Sequence, residues 1–273
     1  MKLSVIIVNW NTKEFTSQCI KSLSDLYHEK FSTGEFELIV IDNASSDRSS
    51  DYLRKLDWIK FILNESNPGY AQACNQGMRI AKGKYILLLG SDTIIKKGCL
   101  EKCISFLDEH KNCTAVSCKL LNPDGSPQNN CKKFPKLKNA FFTYLSLHKL
   151  NSDYDMTWFG YDKTIQVEQP ATTFFMCRSE ILKQLNYFDE HYRILYNDVD
   201  LCKRIYATGG KIFFIHDAEI LHHGSQSTRK AGFKLRKIMY SDIYRYYRKQ
   251  FGFKAKFLYP ILAARLLFVS SVK

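Results

Sequence analysis

Four times within the first 92 residues, a short run of branched or bulky apolar side chains gives way to asparagine or aspartate. The runs are Leu3 to Val8, Leu38 to Ile41, Phe61 to Leu63 and Tyr85 to Leu89, and Thr114 to Ser117 adds a fifth of similar kind. A continuous apolar run without alternation suits a strand covered on both faces. Helical spacing fills the gaps, over roughly residues 13–26, 46–56, 70–81 and 97–109. Strand and helix alternating at this interval predict an α/β fold: a mixed, mostly parallel sheet flanked by helices. Ligands of such sheets bind beyond the carboxyl ends of the strands.

The residues at those ends are Asn9-Trp10-Asn11, Asp42 to Asp47, Asn64 to Gly69, and Gly90-Ser91-Asp92-Thr93. Asp, Asn and Ser also serve as turn formers and helix caps, which explains any one of these clusters. Four in succession predict a polar rim able to hold a ribose, a base and phosphates. Farther on, Asn122-Pro123-Asp124-Gly125-Ser126 marks a turn, and Phe141 to Leu145 suits either a core or an acceptor cleft. A strand over Thr172 to Cys177 is followed by a helix opening at Ser179-Glu180. Another helix starts near Asp198 with carboxylates in its first turn and stops at Gly209-Gly210. Short strands follow at Lys211 to Ile215 and Glu219 to Leu221, and the chain reads as helical from Phe233 onward.

With 45% apolar and 14% aromatic residues, the 273-residue chain has ample material for a core, which excludes a disordered or low-complexity protein. Nine cysteines, an odd number without CxxC spacing, predict reduced thiols and a cytoplasmic location. The first apolar run turns polar at Asn9, too soon for a secretory leader, and no stretch reaches the ~20 apolar residues of a membrane span. Of the net charge of +13, residues 229–273 carry +11, so a nearly neutral body precedes a basic tail.

The ordered set of motifs resembles the family 2 glycosyltransferases of the GT-A fold, near their rhamnosyltransferase-like members. The resemblance rests on Val5-Ile6-Ile7-Val8-Asn9-Trp10-Asn11, Val40-Ile41-Asp42-Asn43-Ala44-Ser45-Ser46-Asp47, and Asn67-Pro68-Gly69-Tyr70-Ala71 with Asn75-Gln76-Gly77. It continues through Leu87-Leu88-Leu89-Gly90-Ser91-Asp92-Thr93, Asn122 to Ser126 with Phe134-Pro135, and Phe188-Asp189-Glu190. Asn197-Asp198-Val199-Asp200 and the stretch His222-His223-Gly224 to Ser227 close it.

The resemblance implies a nucleotide-diphosphate sugar donor and transfer with inversion to a glycan or lipid-diphosphate-linked acceptor, in surface polysaccharide synthesis. By position, Asp42 contacts the nucleoside with Asn9 and Asn11 beside it, while Asn67 and Asn75 help hold the donor. Asp92 falls where the family binds a divalent metal, Mn²⁺ or Mg²⁺, with His222, or alternatively His223, completing the site. The first aspartate of the Asp-x-Asp motif is replaced here by Gly90, leaving one protein carboxylate for the metal. Asp198 matches the second residue of the family's Glu-Asp pair and is the candidate general base; Asn197 stands in the first place. Thr172 adds bulk where relatives carry small residues against the donor sugar. These departures also allow a second reading, a donor-binding scaffold without turnover.

Residues 1–228 are thus read as the catalytic domain, with a nucleotide-sugar-binding half over 1–118 and an acceptor-binding half over 119–228. Residues 229–273 are read as a basic, aromatic helical extension. Interleaved Lys, Arg, Tyr and Phe suit an anionic membrane surface on the cytoplasmic side, with Leu258, Ile261, Leu262, Leu266 and Leu267 offering an inserting face. No nucleic-acid partner is expected, because the body carries no module for one.

Overall fold

In chain order the strands and helices are Leu3–Asn9 (β1), Lys13–Ser32 (α1), Phe36–Asp42 (β2), Ser49–Leu53 (α2), Lys60–Leu63 (β3), Tyr70–Ile80 (α3), Tyr85–Gly90 (β4), Thr93–Ile95 (β5) and Cys99–Glu109 (α4). Then come Cys113–Leu121 (β6), Cys131–Lys132 (β7), Leu137–Tyr144 (α5), Ile165–Gln166 (β8), Gln169–Pro170 (β9), Phe174–Arg178 (β10), Ser179–Gln184 (α6), Asn197–Ala207 (α7) and Lys211–His222 (β11). The helices Phe233–Phe251 (α8) and Tyr259–Ser271 (α9), joined by a 3-10 turn over Gly252–Leu258, end the order. The computed structural model describes residues 1–224 and 232–271, with side chains through Leu267. Ser225 to Ser227 and the boundary read at 228 lie outside the described residues.

A nine-stranded sheet runs in the order β3-β2-β1-β4-β10-β6-β11-β5, with β8 also pairing β11. β1 to β4 are parallel, as are β6 and β11, whereas β10 runs antiparallel to both β4 and β6. Because β10 comes from the second half of the chain and sits between two strands of the first, the halves read at residue 118 interleave within one sheet. Alternate strand residues face opposite sides. Leu3, Val5 and Ile7 pack with α1 and α4, and Ile6, Ile39 and Ile41 pack with α3 and α7. All nine cysteines are free thiols and buried.

Three element boundaries depart from the pattern for local reasons. α2 is shorter than expected because Ser46 and Asp47 are used by the loop: Asn11 Oδ1 accepts from Ser46 N at 2.7 Å, and Asp47 accepts from Lys13 N at 2.8 Å. α4 starts at Cys99 because Gly98 takes φ +82°, in the left-handed region that glycine favours. The two short strands expected near the end are one strand, β11, with a register shift between Ile215 and Glu219.

The C-terminal helices form a third core with the body of the chain. Ile243, Tyr246 and Tyr247 of α8 pack with Tyr192 and Val199, together with Leu258 and Leu262. Leu258 is 0% and Leu262 3% exposed, which corrects the inserting face read from the sequence: these two leucines are consumed by packing. Phe253, Phe257, Tyr259 and Leu267 remain exposed. No helix among the described residues is long and apolar enough to cross a membrane.

Candidate active site

The strand register brings the polar ends together: Asn9 pairs with Asp42 and Val8 with Gly90. Beyond these ends lies an open cleft of about 270 Å³, lined from the first half by Trp10, Asn43, Asn67, Tyr70, Ser91 and Asp92. From the second half it is lined by Thr172, Thr173, Asn197, Asp198 and His222, and α8 adds Leu235.

Asp92 and His222 are brought together by β-pairing. Asp92 immediately precedes β5, His222 ends β11, and His222 pairs with Thr93. The backbone N–H of His223 donates to Asp92 O at 2.9 Å. The His222 Nε2 atom lies 3.4 Å from Asp92 Oδ1. One carboxylate oxygen and one imidazole nitrogen at the cleft wall fit a divalent ion that takes its other ligands from water and phosphate. Among the described residues no group of three or more His, Cys, Asp or Glu side chains forms a closed metal site. The arrangement therefore suits a metal shared with a ligand, not one caged by protein.

Asp198 stands in the first turn of α7 and lines the same cleft, where burial raises its carboxyl above the ordinary aspartate range. Its Oδ1 accepts the Val199 N–H at 2.8 Å. Asn197 is only 2% exposed and donates its amide to Ile194 O at 3.0 Å, closing the turn ahead of the helix. The departure at this position is thus a structural device beside Asp198. Asp200 is also structural, since its carboxylate is held by Arg204 at 2.7 Å and Lys249 at 2.8 Å.

The donor residues read from the sequence separate into two groups. Asn67 lines the cleft, its Oδ1 accepting from Gly69 N at 2.9 Å and Asn43 Nδ2 at 3.3 Å. Asp42 and Asn9 are 0% exposed and bond to each other and to Ser45, so they shape the loop from beneath; Asn43, at the cleft wall, is 2% exposed and bonded to Asn64, Asn67 and Gly69. Asn11 is likewise engaged with Ser45 and Ser46. Asn75 is the clearest correction. It is fully buried, and its amide exchanges hydrogen bonds with the backbone of Phe188 at 2.9 and 3.0 Å, away from the cleft.

Asn43 and Tyr70, quoted above within motifs but given no role there, and Leu235 also line the cleft. Leu235 carried no local signal, because only tertiary packing brings α8 to the cleft.

A clasp joins the donor side to the Asp198 side. Tyr70 N donates to Arg193 O at 2.7 Å, while the Arg193 guanidinium reaches back to Pro68 O and Asn67 O, both at 3.2 Å. Gly69 adopts φ +103°, and a Cβ there would sit 2.7 Å from Arg193 O.

Comparison with known proteins agrees with this arrangement. Residues 4–192 match the model of glycosyl transferase family 2. A stretch of 138 residues, 49% of this chain, is 29% identical to the poly(ribitol-phosphate) beta-N-acetylglucosaminyltransferase TarS of Staphylococcus aureus. The matched region spans only 24% of that protein, so the chain corresponds to about a quarter of its length. The crystal structure of S. aureus TarS 1–349 in complex with UDP superposes with a TM-score of 0.59 at 21% identity, covering 89% of this chain and 65% of the other. The mannosyltransferase PcManGT from Pyrobaculum calidifontis, in complex with GDP-Man and Mn²⁺, gives a TM-score of 0.61 at 15% identity, covering 100% and 76%. Both solved structures share the GT-A fold seen here. With the family match running from β1 to the threshold of α7, the chain belongs to glycosyl transferase family 2.

Proposed function

We propose that the protein transfers a sugar, with inversion, from a nucleotide-diphosphate donor to a glycan or lipid-diphosphate-linked acceptor in surface polysaccharide synthesis. The observation that carries this reading is the meeting, in one cleft, of the Asp92–His222 pair and a half-buried Asp198 on a helix start. Asn67 offers its amide to the donor, and Trp10 and Tyr70 offer flat walls at the same rim, while Asn43 braces Asn67 from behind. Asp42, Asn9 and Asn11 hold the loops that place them. Asp92 Oδ1 and His222 Nε2 are the protein's ligands for Mn²⁺ or Mg²⁺, which when bound neutralises negative charge on the diphosphate leaving group. Asp198 takes the proton of the acceptor hydroxyl; its raised affinity for protons suits a base that must accept one from an alcohol. Thr172 and Thr173 narrow the space available to the donor sugar.

The same reading places the enzyme at the cytoplasmic membrane face. The turn after α8 exposes Phe253 at 71% and Phe257 at 61%, with Lys254 and Lys256 between them. Aromatic rings flanked by ammonium groups complement an anionic lipid surface. Residues 1–224 and the C-terminal helices then act as one unit, because α8 supplies part of the cleft.

The deciding experiment is calorimetry and turnover with a panel of UDP-, GDP- and dTDP-sugars, with and without Mn²⁺, on lipid-linked and glycan acceptors. Metal-dependent donor binding with transfer is the expected result. Binding without transfer on any acceptor would replace the enzyme reading with that of a donor-binding scaffold.

A further inference from the structure

The side chain of Gln128 is tied at both ends. Its Nε2 donates to His222 O at 2.8 Å and to Asn122 Oδ1 at 2.8 Å. Both partners are acceptors, so the amide can stand only one way round, with Oε1 toward the His222 ring. That oxygen is 2.7 Å from His222 Nδ1. An oxygen that only accepts, at this distance, requires the hydrogen on Nδ1.

The consequence falls on the other ring nitrogen. With Nδ1 carrying the hydrogen, the neutral ring turns an Nε2 lone pair toward Asp92 Oδ1, 3.4 Å away. Nε2 is then the ring atom that faces the carboxylate. Histidine ligands in metal sites are commonly oriented by a hydrogen bond to their second nitrogen, which fixes the tautomer and raises ligand basicity.

We infer that Gln128 is a positioning residue for the metal site, locking His222 in the Nδ1–H tautomer so that Nε2 is ready to ligate. The inference rests on the metal reading of Asp92 and His222. Its support reaches back to the turn after β6. Asn122 N donates to Ser126 O at 2.8 Å, Asn122 Nδ2 donates to Ser126 Oγ at 2.9 Å, and Gln128 N donates to Leu120 O at 2.8 Å. The turn over Asn122 to Ser126, far from the cleft in sequence terms, thereby aims a histidine 94 residues downstream of Gln128.

The test uses the full chain labelled with ¹⁵N-histidine. In metal-free protein at alkaline pH, where an ordinary imidazole is neutral, the ¹⁵N shifts of His222 are expected to report Nδ1–H. Gln128→Met, close in size but without an acceptor, should lose that preference. Mn²⁺ titration followed by electron paramagnetic resonance, with UDP present, should show Gln128→Met weakened by about tenfold to a hundredfold. An Nε2–H tautomer in the wild type, a tautomer indifferent to Gln128→Met, or equal Mn²⁺ affinities in wild type and Gln128→Met each overturn the inference. Failure of the metal reading looks different: His222→Ala then leaves Mn²⁺ affinity unchanged, which removes the ligating role of Nε2 whatever the tautomer.

Discussion

Asp242 holds the segment that leads into Asp198: its Oδ2 accepts the backbone N–H of Ile194 at 2.8 Å and of Leu195 at 3.1 Å. The carboxylate is 2% exposed. Asp242→Ala leaves two buried donors unpaired and should cost roughly 3 kcal/mol. Asp242→Asn keeps an acceptor and should cost clearly less. Urea denaturation reads the stability, and turnover measured on the folded fraction should also fall, because the displaced segment leads into Asp198.

The rate should report the protonation of Asp198. Burial raises this carboxyl, so the acid limb of kcat/KM lies above the ordinary aspartate pKa of about 3.9 and activity rises as pH rises through it. Asp198→Asn should lose the limb and roughly 10²- to 10⁴-fold in turnover, with UDP affinity unchanged by calorimetry. Turnover near the wild-type value would remove Asp198 from the base role.

Membrane contact is best probed by substitution. Deleting the chain from Phe251 removes Leu258 and Leu262 from the third core and confounds binding with unfolding. Phe253→Ser with Phe257→Ser changes only exposed rings. Sedimentation with anionic vesicles should drop severalfold while the melting temperature stays within a degree or two of wild type. Unchanged sedimentation would count against the membrane reading.

Glu37 gives the fold an acid-sensitive joint. It is 7% exposed and receives Ser4 Oγ at 2.5 Å, Lys60 Nζ at 2.6 Å and the Lys82 N–H at 2.6 Å. Burial pushes its carboxyl up, but these hydrogen bonds and the Lys60 charge outweigh that and hold it below the usual range. A lowered carboxyl stabilises the folded state above its unfolded pKa, near 4.3, and that stability is lost as pH falls through the folded value. Lys60 is 42% exposed, so water rehydrates its ammonium and Glu37→Gln should cost only roughly 2 kcal/mol at neutral pH. Denaturation across pH should show a shallower acid-side slope for the variant.

The sheet was legible because each buried strand announces itself as an unbroken apolar run, and the polar ends lie together at one edge of it. Asp92, His222 and Asp198 were singled out by motif, and all three line one cleft. Asn75 misled, because an asparagine in the first turns of a helix reads the same whether it faces a ligand or the backbone of Phe188. The contacts of Gln128 with His222 and of Leu235 with the cleft had no periodicity to betray them, being set by a turn and a helix that meet these residues only in three dimensions. In the basic tail the sequence does not tell a membrane face from a packing face: Leu258 and Leu262 are buried in the third core, and Leu267 is exposed.

The contact between Gly69 and Arg193 bears on how such a chain can drift in sequence. Any side chain at position 69 pushes on a carbonyl five residues ahead of Asp198. An exchange in the donor loop is therefore paid at the opposite wall, as a displaced carboxylate. Position 69 is thereby held to glycine, and a graft that brings a side chain to position 69 should displace the segment leading to Asp198 even when every residue of that segment is kept.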